Sequence, residues 1–74
     1  MKIKVKLFAT LRENRGKELI MDFSESATPR DIIEKLNIPL EEAAIIFING
    51  RSKELDELLE ENDTVSIFPP VGGG

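Results

Sequence analysis

Residues 2–8 read Lys2-Ile3-Lys4-Val5-Lys6-Leu7-Phe8, a strict alternation of charged and aliphatic side chains. Along an extended chain successive side chains point to opposite sides. Ile3, Val5 and Leu7 therefore share one face, and Lys2, Lys4, Lys6 and Phe8 share the other. Such a stretch predicts a half-buried strand with a basic outer face. Phe8 breaks the outer pattern by placing an aromatic ring where a charge is expected. A second alternation follows at 18–23, with Leu19, Met21 and Phe23 on one face. Between the two lie Arg12, Glu13, Asn14, Arg15, Gly16 and Lys17, a polar connection that turns at Gly16. Two neighbouring strands joined in this way most simply form an antiparallel hairpin.

The pattern then changes period. In Thr28-Pro29-Arg30-Asp31 the threonine can cap a helix, the proline suits its first position, and the aspartate stands where a capping-box acid belongs. Ile32, Ile33 and Leu36 supply one apolar helical face. Pro39 disfavours helix at Ile38, so the helix ends by Asn37. Residues 40–44 fit no single template. Ile45-Ile46-Phe47-Ile48 is apolar on both faces, which places it inside a sheet or under a partner. Asn49-Gly50 is a strong hairpin signal. Leu55, Leu58 and Leu59 suggest one helical or 3₁₀ turn, and Asn62-Asp63 turns the chain into a last strand, Thr64 to Phe68. One helix across a mixed sheet is the natural two-layer solution for this order. The first and last strands then pair in parallel at its centre, since the crossover between them contains the helix. Ile3, Val5, Leu7, Ile32, Ile33, Leu36, Val65 and Ile67 should share the core.

Composition narrows the function. Seventy-four residues make one domain. A chain this short buries about 60–65% of its unfolded surface, enough for a modest core. It has no Cys and no His, which removes disulfides, thiol nucleophiles, the usual zinc ligands and a neutral-pH general base. We expect no bound metal or cofactor. No apolar run nears the roughly 20 residues that span a bilayer, and with the alternation starting at once we expect no signal peptide. A cytoplasmic protein with no membrane partner is expected. The net charge of −4 argues against nucleic-acid binding.

The chain ends Phe68-Pro69-Pro70-Val71-Gly72-Gly73-Gly74. Neither proline can donate a ladder hydrogen bond and each fixes φ near −65°, so the pair ends the strand and carries the chain stiffly off the sheet. Glycines lack Cβ, which leaves a thin tail bearing the α-carboxylate of Gly74. That carboxylate is the candidate for the chemistry. Residues 1–69 are expected to form the domain and 70–74 a flexible tail. If the outer strands of the sequence are parallel neighbours, Phe8 and Phe68 fall together on the outer face, a candidate contact for a partner. Arg12 and Lys17 could join it, but nothing in the sequence separates them from ordinary surface charge.

The order of elements is that of the β-grasp, the ubiquitin-like α+β fold, with a mixed four- to five-stranded sheet and one main helix packed across it. Leu7-Phe8-Ala9-Thr10-Leu11-Arg12-Glu13, the Asn49-Gly50 turn and the Phe-Pro-Pro-Val…Gly-Gly ending together resemble the MoaD family of ubiquitin-like sulfur carriers, the small subunits of molybdopterin synthase. The resemblance spans the whole chain. Gly72 departs from it, since the family more often has Ala or Ser there. It implies a carrier that is not itself an enzyme. An E1-like (MoeB-like) enzyme, supplying ATP and Mg, would adenylate the carboxylate of Gly74, and a sulfur donor would turn it into a thiocarboxylate. Gly73 and Gly74 would thread the partner's channel. Phe8, Phe68, Pro69, Pro70, Val71 and Gly72 would contact partners, among them the MoaE-like large synthase subunit. Two other functions stay open: a carrier for thiamin or tRNA thiolation, and a modifier joined through Gly74 to lysines.

Overall fold

The alternation at the N-terminus becomes an interior strand of the sheet. In a computed structural model, which describes residues 1–70, strand β1 (Lys2–Leu7) lies between β2 (Glu18–Asp22) and β5 (Thr64–Phe68). Strand β3 (Ile45–Ile48) and the two-residue β4 (Arg51–Ser52) complete the order β2-β1-β5-β3-β4. β1 and β2 form the expected antiparallel pair, Val5 opposite Leu19. β1 and β5 run parallel, Val5 beside Val65 and Leu7 beside Ile67. One helix, α1 (Pro29–Lys35), covers one face. The fold is the ubiquitin-like β-grasp, with five strands. Val71 to Gly74, which carry the expected thin tail, lie outside the described residues. Among the described residues no helix is long and apolar enough to cross a membrane.

Helix α1 starts as its sequence dictates. The Thr28 hydroxyl accepts from the Asp31 amide, and the Asp31 carboxylate accepts from the Thr28 amide at 2.9 Å, a complete capping box with Pro29 in the first turn. It stops where the backbone turns left-handed at Asn37, φ +58°. Arg15 reaches over that end, donating from Nε to the Leu36 carbonyl and from Nη2 to that of Asn37. It thereby satisfies carbonyls that helix geometry leaves free. Asn49 and Gly50 both have positive φ, +53° and +84°, and join β3 to β4 through a two-residue turn.

Ile3, Val5, Leu7, Ile32, Ile33, Val65 and Ile67 are buried together as expected. Leu36 differs, since it is only partly buried at the margin of this cluster. Leu11, Ala27, Ile38, Ala43, Ile46, Ile48 and Leu59 join it as well. Leu11 is fully buried because residues 9–12 form a 3₁₀ turn that drops its side chain onto the core, so the stretch is more than a polar connection. Ile38, Ala43 and Leu59 close the other edges. The segment around Leu55–Leu59 forms no helix. Its backbone is engaged at long range: Leu59 N–H donates to the Ala27 carbonyl at 2.9 Å, and the Leu55 carbonyl accepts from Arg30 N–H at 3.0 Å. Those bonds hold Leu59 inside, and Leu58 is 68% exposed.

Candidate functional site

The open face of the sheet shows how alternation in four strands becomes a surface. β2 contributes Glu18, Ile20 and Asp22 along the edge. β1 contributes Lys2, Lys4 and Lys6, with Lys6 opposite Glu18 on one side and Ser66 on the other. β5 adds Thr64, Ser66 and Phe68; β3 adds Ile45 beside Phe68 and Phe47 beside Ser66. From β2 across to β3 the face passes from carboxylates flanking Ile20 to lysines, then hydroxyls, then apolar side chains.

Its apolar end is an aromatic cluster. β1 ends at Leu7, but Phe8 keeps an extended backbone (φ −128°, ψ 151°) and so continues the outward alternation. Ala9 then turns left-handed, φ +53°. The result is that Phe8 and Phe68 stack, ring centroids 4.2 Å apart and planes inclined by 12°. Phe47 meets Phe68 edge-on at 5.6 Å and 78°. Arg12 donates from Nε to the Leu7 carbonyl at 2.8 Å, which sets its guanidinium 5.3 Å from the centroid of the Phe8 ring. The Phe68 carbonyl accepts from Ala44 N–H at 3.0 Å, fixing the last turn of backbone before Pro69 and Pro70. Pro69 is half-buried and Pro70 is exposed.

The expected contact residues Phe8 and Phe68 are thus brought together at the point where the chain leaves the sheet. Phe47 is the member that local patterning misses. The run Ile45–Ile48 is apolar throughout, so nothing local says which side chains face out. The Asn49-Gly50 turn combined with the buried Ile67 would have found it. Ile67 faces Ile46, which puts Phe47 on the other side. Val71, Gly72, Gly73 and Gly74 lie outside the described residues. Among the described residues no group of three or more His, Cys, Asp or Glu side chains is arranged to hold a metal ion.

A half-covered β-grasp sheet whose last strand runs out into a glycine-ended chain defines a small ubiquitin-like protein of the carrier and modifier kind. More narrowly, the chain belongs to the ThiS family, whose profile matches residues 5–74. It is similar to the small archaeal modifier protein 1 of Haloferax volcanii, with 26% identity, full coverage of both chains and a TM-score of 0.80. A Pyrococcus furiosus protein assigned provisionally as molybdopterin converting factor subunit 1 is 32% identical over 96% of this chain and 99% of that one, TM-score 0.76. The small archaeal modifier protein 1 of Methanosarcina acetivorans is 30% identical over 99% and 96%, TM-score 0.72. No curated protein sequence matches the chain.

Proposed function

We propose that this protein is a sulfur carrier, activated at the Gly74 carboxylate, that donates sulfur in molybdopterin synthesis. The observation that carries the proposal is the stacked Phe8–Phe68 pair at the root of the Pro-Pro-Val-Gly-Gly-Gly ending, with Phe47 against it. Half-buried rings grouped on an open face make an interface core. A partner seated there receives the tail at a fixed distance from its own surface. Family membership and the 32% identity to the Pyrococcus protein support this direction.

The chemistry follows from what a carboxylate lacks. It is a poor electrophile until it carries a good leaving group, and this chain has no Cys or His to help it. ATP and Mg are therefore supplied at an E1-like, MoeB-like adenylating enzyme. A carboxylate oxygen of Gly74 attacks the α-phosphorus and pyrophosphate leaves. Sulfide released by the donor then attacks the carbonyl carbon, AMP leaves with the oxygen, and loss of the S–H proton leaves a thiocarboxylate. Cationic groups of the partner carry the phosphate charge. A MoaE-like large synthase subunit accepts the loaded tail, and the carrier works in the cytoplasm as a non-catalytic subunit. Gly73 and Gly74 leave only backbone to pass a narrow channel. A second reading is favoured by the two archaeal modifier relatives, in which Gly74 is joined to lysines of target proteins.

Incubation with the adenylating enzyme of the same genome, Mg-ATP and a sulfur donor should raise the intact mass by the difference between sulfur and oxygen. Deleting Gly74 should abolish that gain and cofactor synthesis while leaving the melting temperature unchanged. Lysine conjugates with no thiocarboxylate would select the modifier reading. Cofactor synthesis by the deletion variant would refute the carrier reading.

A further inference from the structure

Beside the aromatic pair the surface dips into a depression of about 460 Å³ lined by Lys6, Phe8, Arg12, Lys17 and Glu18. Three cations to one carboxylate is a local excess of positive charge on a chain whose net charge is −4. The carboxylate is drawn away as well: Glu18 lies 3.9 Å from Lys4. Lys6 and Lys17 form no ion pair among the described residues, and Arg12 is committed only through Nε. The ring of cations is fixed from two directions. Lys6 belongs to the interior strand β1, and the Lys17 carbonyl accepts from Leu7 N–H at 3.0 Å.

We propose that this cationic half-ring is the steering rim of the docking face, and that the partner surface it meets is rich in carboxylates. The inference rests on the reading of Phe8 and Phe68 as the docking core. Charges at the rim of an interface act mainly on the rate of encounter and on orientation, and buried anchors act on the rate of escape. Here the two are laid side by side, so a partner attracted to Lys6, Arg12 and Lys17 arrives with the tail root already under it. A protein fits this chemistry better than a nucleic acid. One face of Phe8 is occupied by Phe68 and Arg12 lies over the ring, which leaves no clear platform on which a base could stack.

The test measures association of the full chain with the adenylating enzyme of the same genome, at low and at high salt, for three proteins. Parent, the double variant Lys6→Glu/Lys17→Glu and Phe68→Asp are compared after circular dichroism shows that each is folded. The double variant should associate about tenfold more slowly at low salt with its dissociation rate little changed. The gap should close toward about 1 M salt, where screening acts within roughly 3 Å. The milder pair Lys6→Ala/Lys17→Ala should fall in between. Phe68→Asp should instead raise the dissociation rate at every salt concentration. If Phe68→Asp weakens binding but the lysine variants keep the parent's rate and salt slope, the steering rim is overturned and the docking face survives. If Phe68→Asp binds like the parent, the docking face itself falls. Micromolar binding of the parent to poly(U) that the lysine variants lose would also overturn the proposal, by giving the ring to phosphate.

Discussion

On the covered face of the sheet Val5, Leu7, Val65, Ile67 and Ile46 meet Ile32 and Ile33 of the helix, and all are buried. On the open face the same strands present Lys4, Lys6, Thr64, Ser66, Phe47 and Phe68. The buried side chains of the covered face are all aliphatic, with Met21 and Phe23 at the core margin, whereas three of the chain's four phenylalanines, Phe8, Phe47 and Phe68, gather outside. Burial drives large apolar side chains inward, and aromatics bury the largest areas of all. Folding alone therefore does not explain why the rings lie on the wet side. Their grouping next to the departing chain accords with the docking role proposed above.

Neighbouring residues of one strand give the sharpest way to break that contrast. Ile67→Ala, on the covered face, should destabilise by about 2–5 kcal/mol in urea denaturation, because its side chain is fully enclosed. Phe68→Ala, one residue on and facing out, should cost about 1–2 kcal/mol, from the lost ring pair and part of its area. It should nevertheless weaken partner binding far more than Ile67→Ala does in protein that is still folded. Equal stability losses at the two positions would erase the distinction between the faces. Thr28→Ala removes half the capping box of the helix that makes the covered face dry, and should cost about 1 kcal/mol with no change in binding.

The smallest effect is expected from a pair belonging to neither face. Arg30 Nε and Nη2 donate to the two Asp56 carboxylate oxygens at 2.9 and 3.2 Å. This hydrogen bond holds the Asp56 carboxyl below the usual carboxylate range. A depressed folded pKa adds stability above the unfolded value of about 3.9, and that stability is lost as pH falls through the folded pKa. Asp56→Asn should thus melt slightly below the parent at neutral pH and level with it near pH 2. Both groups are exposed, so added salt should shrink the gap. A difference that persists unchanged in acid would assign it to packing.

The parts legible in the sequence were those set by neighbours along the chain. The Lys-Ile-Lys-Val-Lys alternation gave β1 and its facing, Thr28-Pro29-Arg30-Asp31 gave the start of α1, and Asn49-Gly50 gave the β3–β4 turn. The parts that escaped depend on partners far along the chain. Leu11 looks like one apolar residue in a polar stretch until its turn packs against β5. Leu55 and Leu59 suit a helical turn, and yet their backbone groups pair with Arg30 and Ala27. Phe47 faces out only because Ile46 opposes Ile67. Of the site, Phe8 and Phe68 were legible because each continues a clear alternation. Their stack and the gathering of Lys6, Arg12 and Lys17 around it required the strand order.

The parallel pairing of β1 with β5 also decides how the molecule responds to force. Parallel neighbours begin at the same end of a sheet, so the chain enters β1 at one end and leaves β5 at the other. Tension between Met1 and the tail slides the two strands lengthwise and loads their hydrogen bonds together. β3 grips β5 from its other side, adding a second ladder to the same load. Tension applied at the β3–β4 hairpin would instead peel its short ladder bond by bond. The direction in which the chain leaves β5 is thus one that loads the sheet in shear.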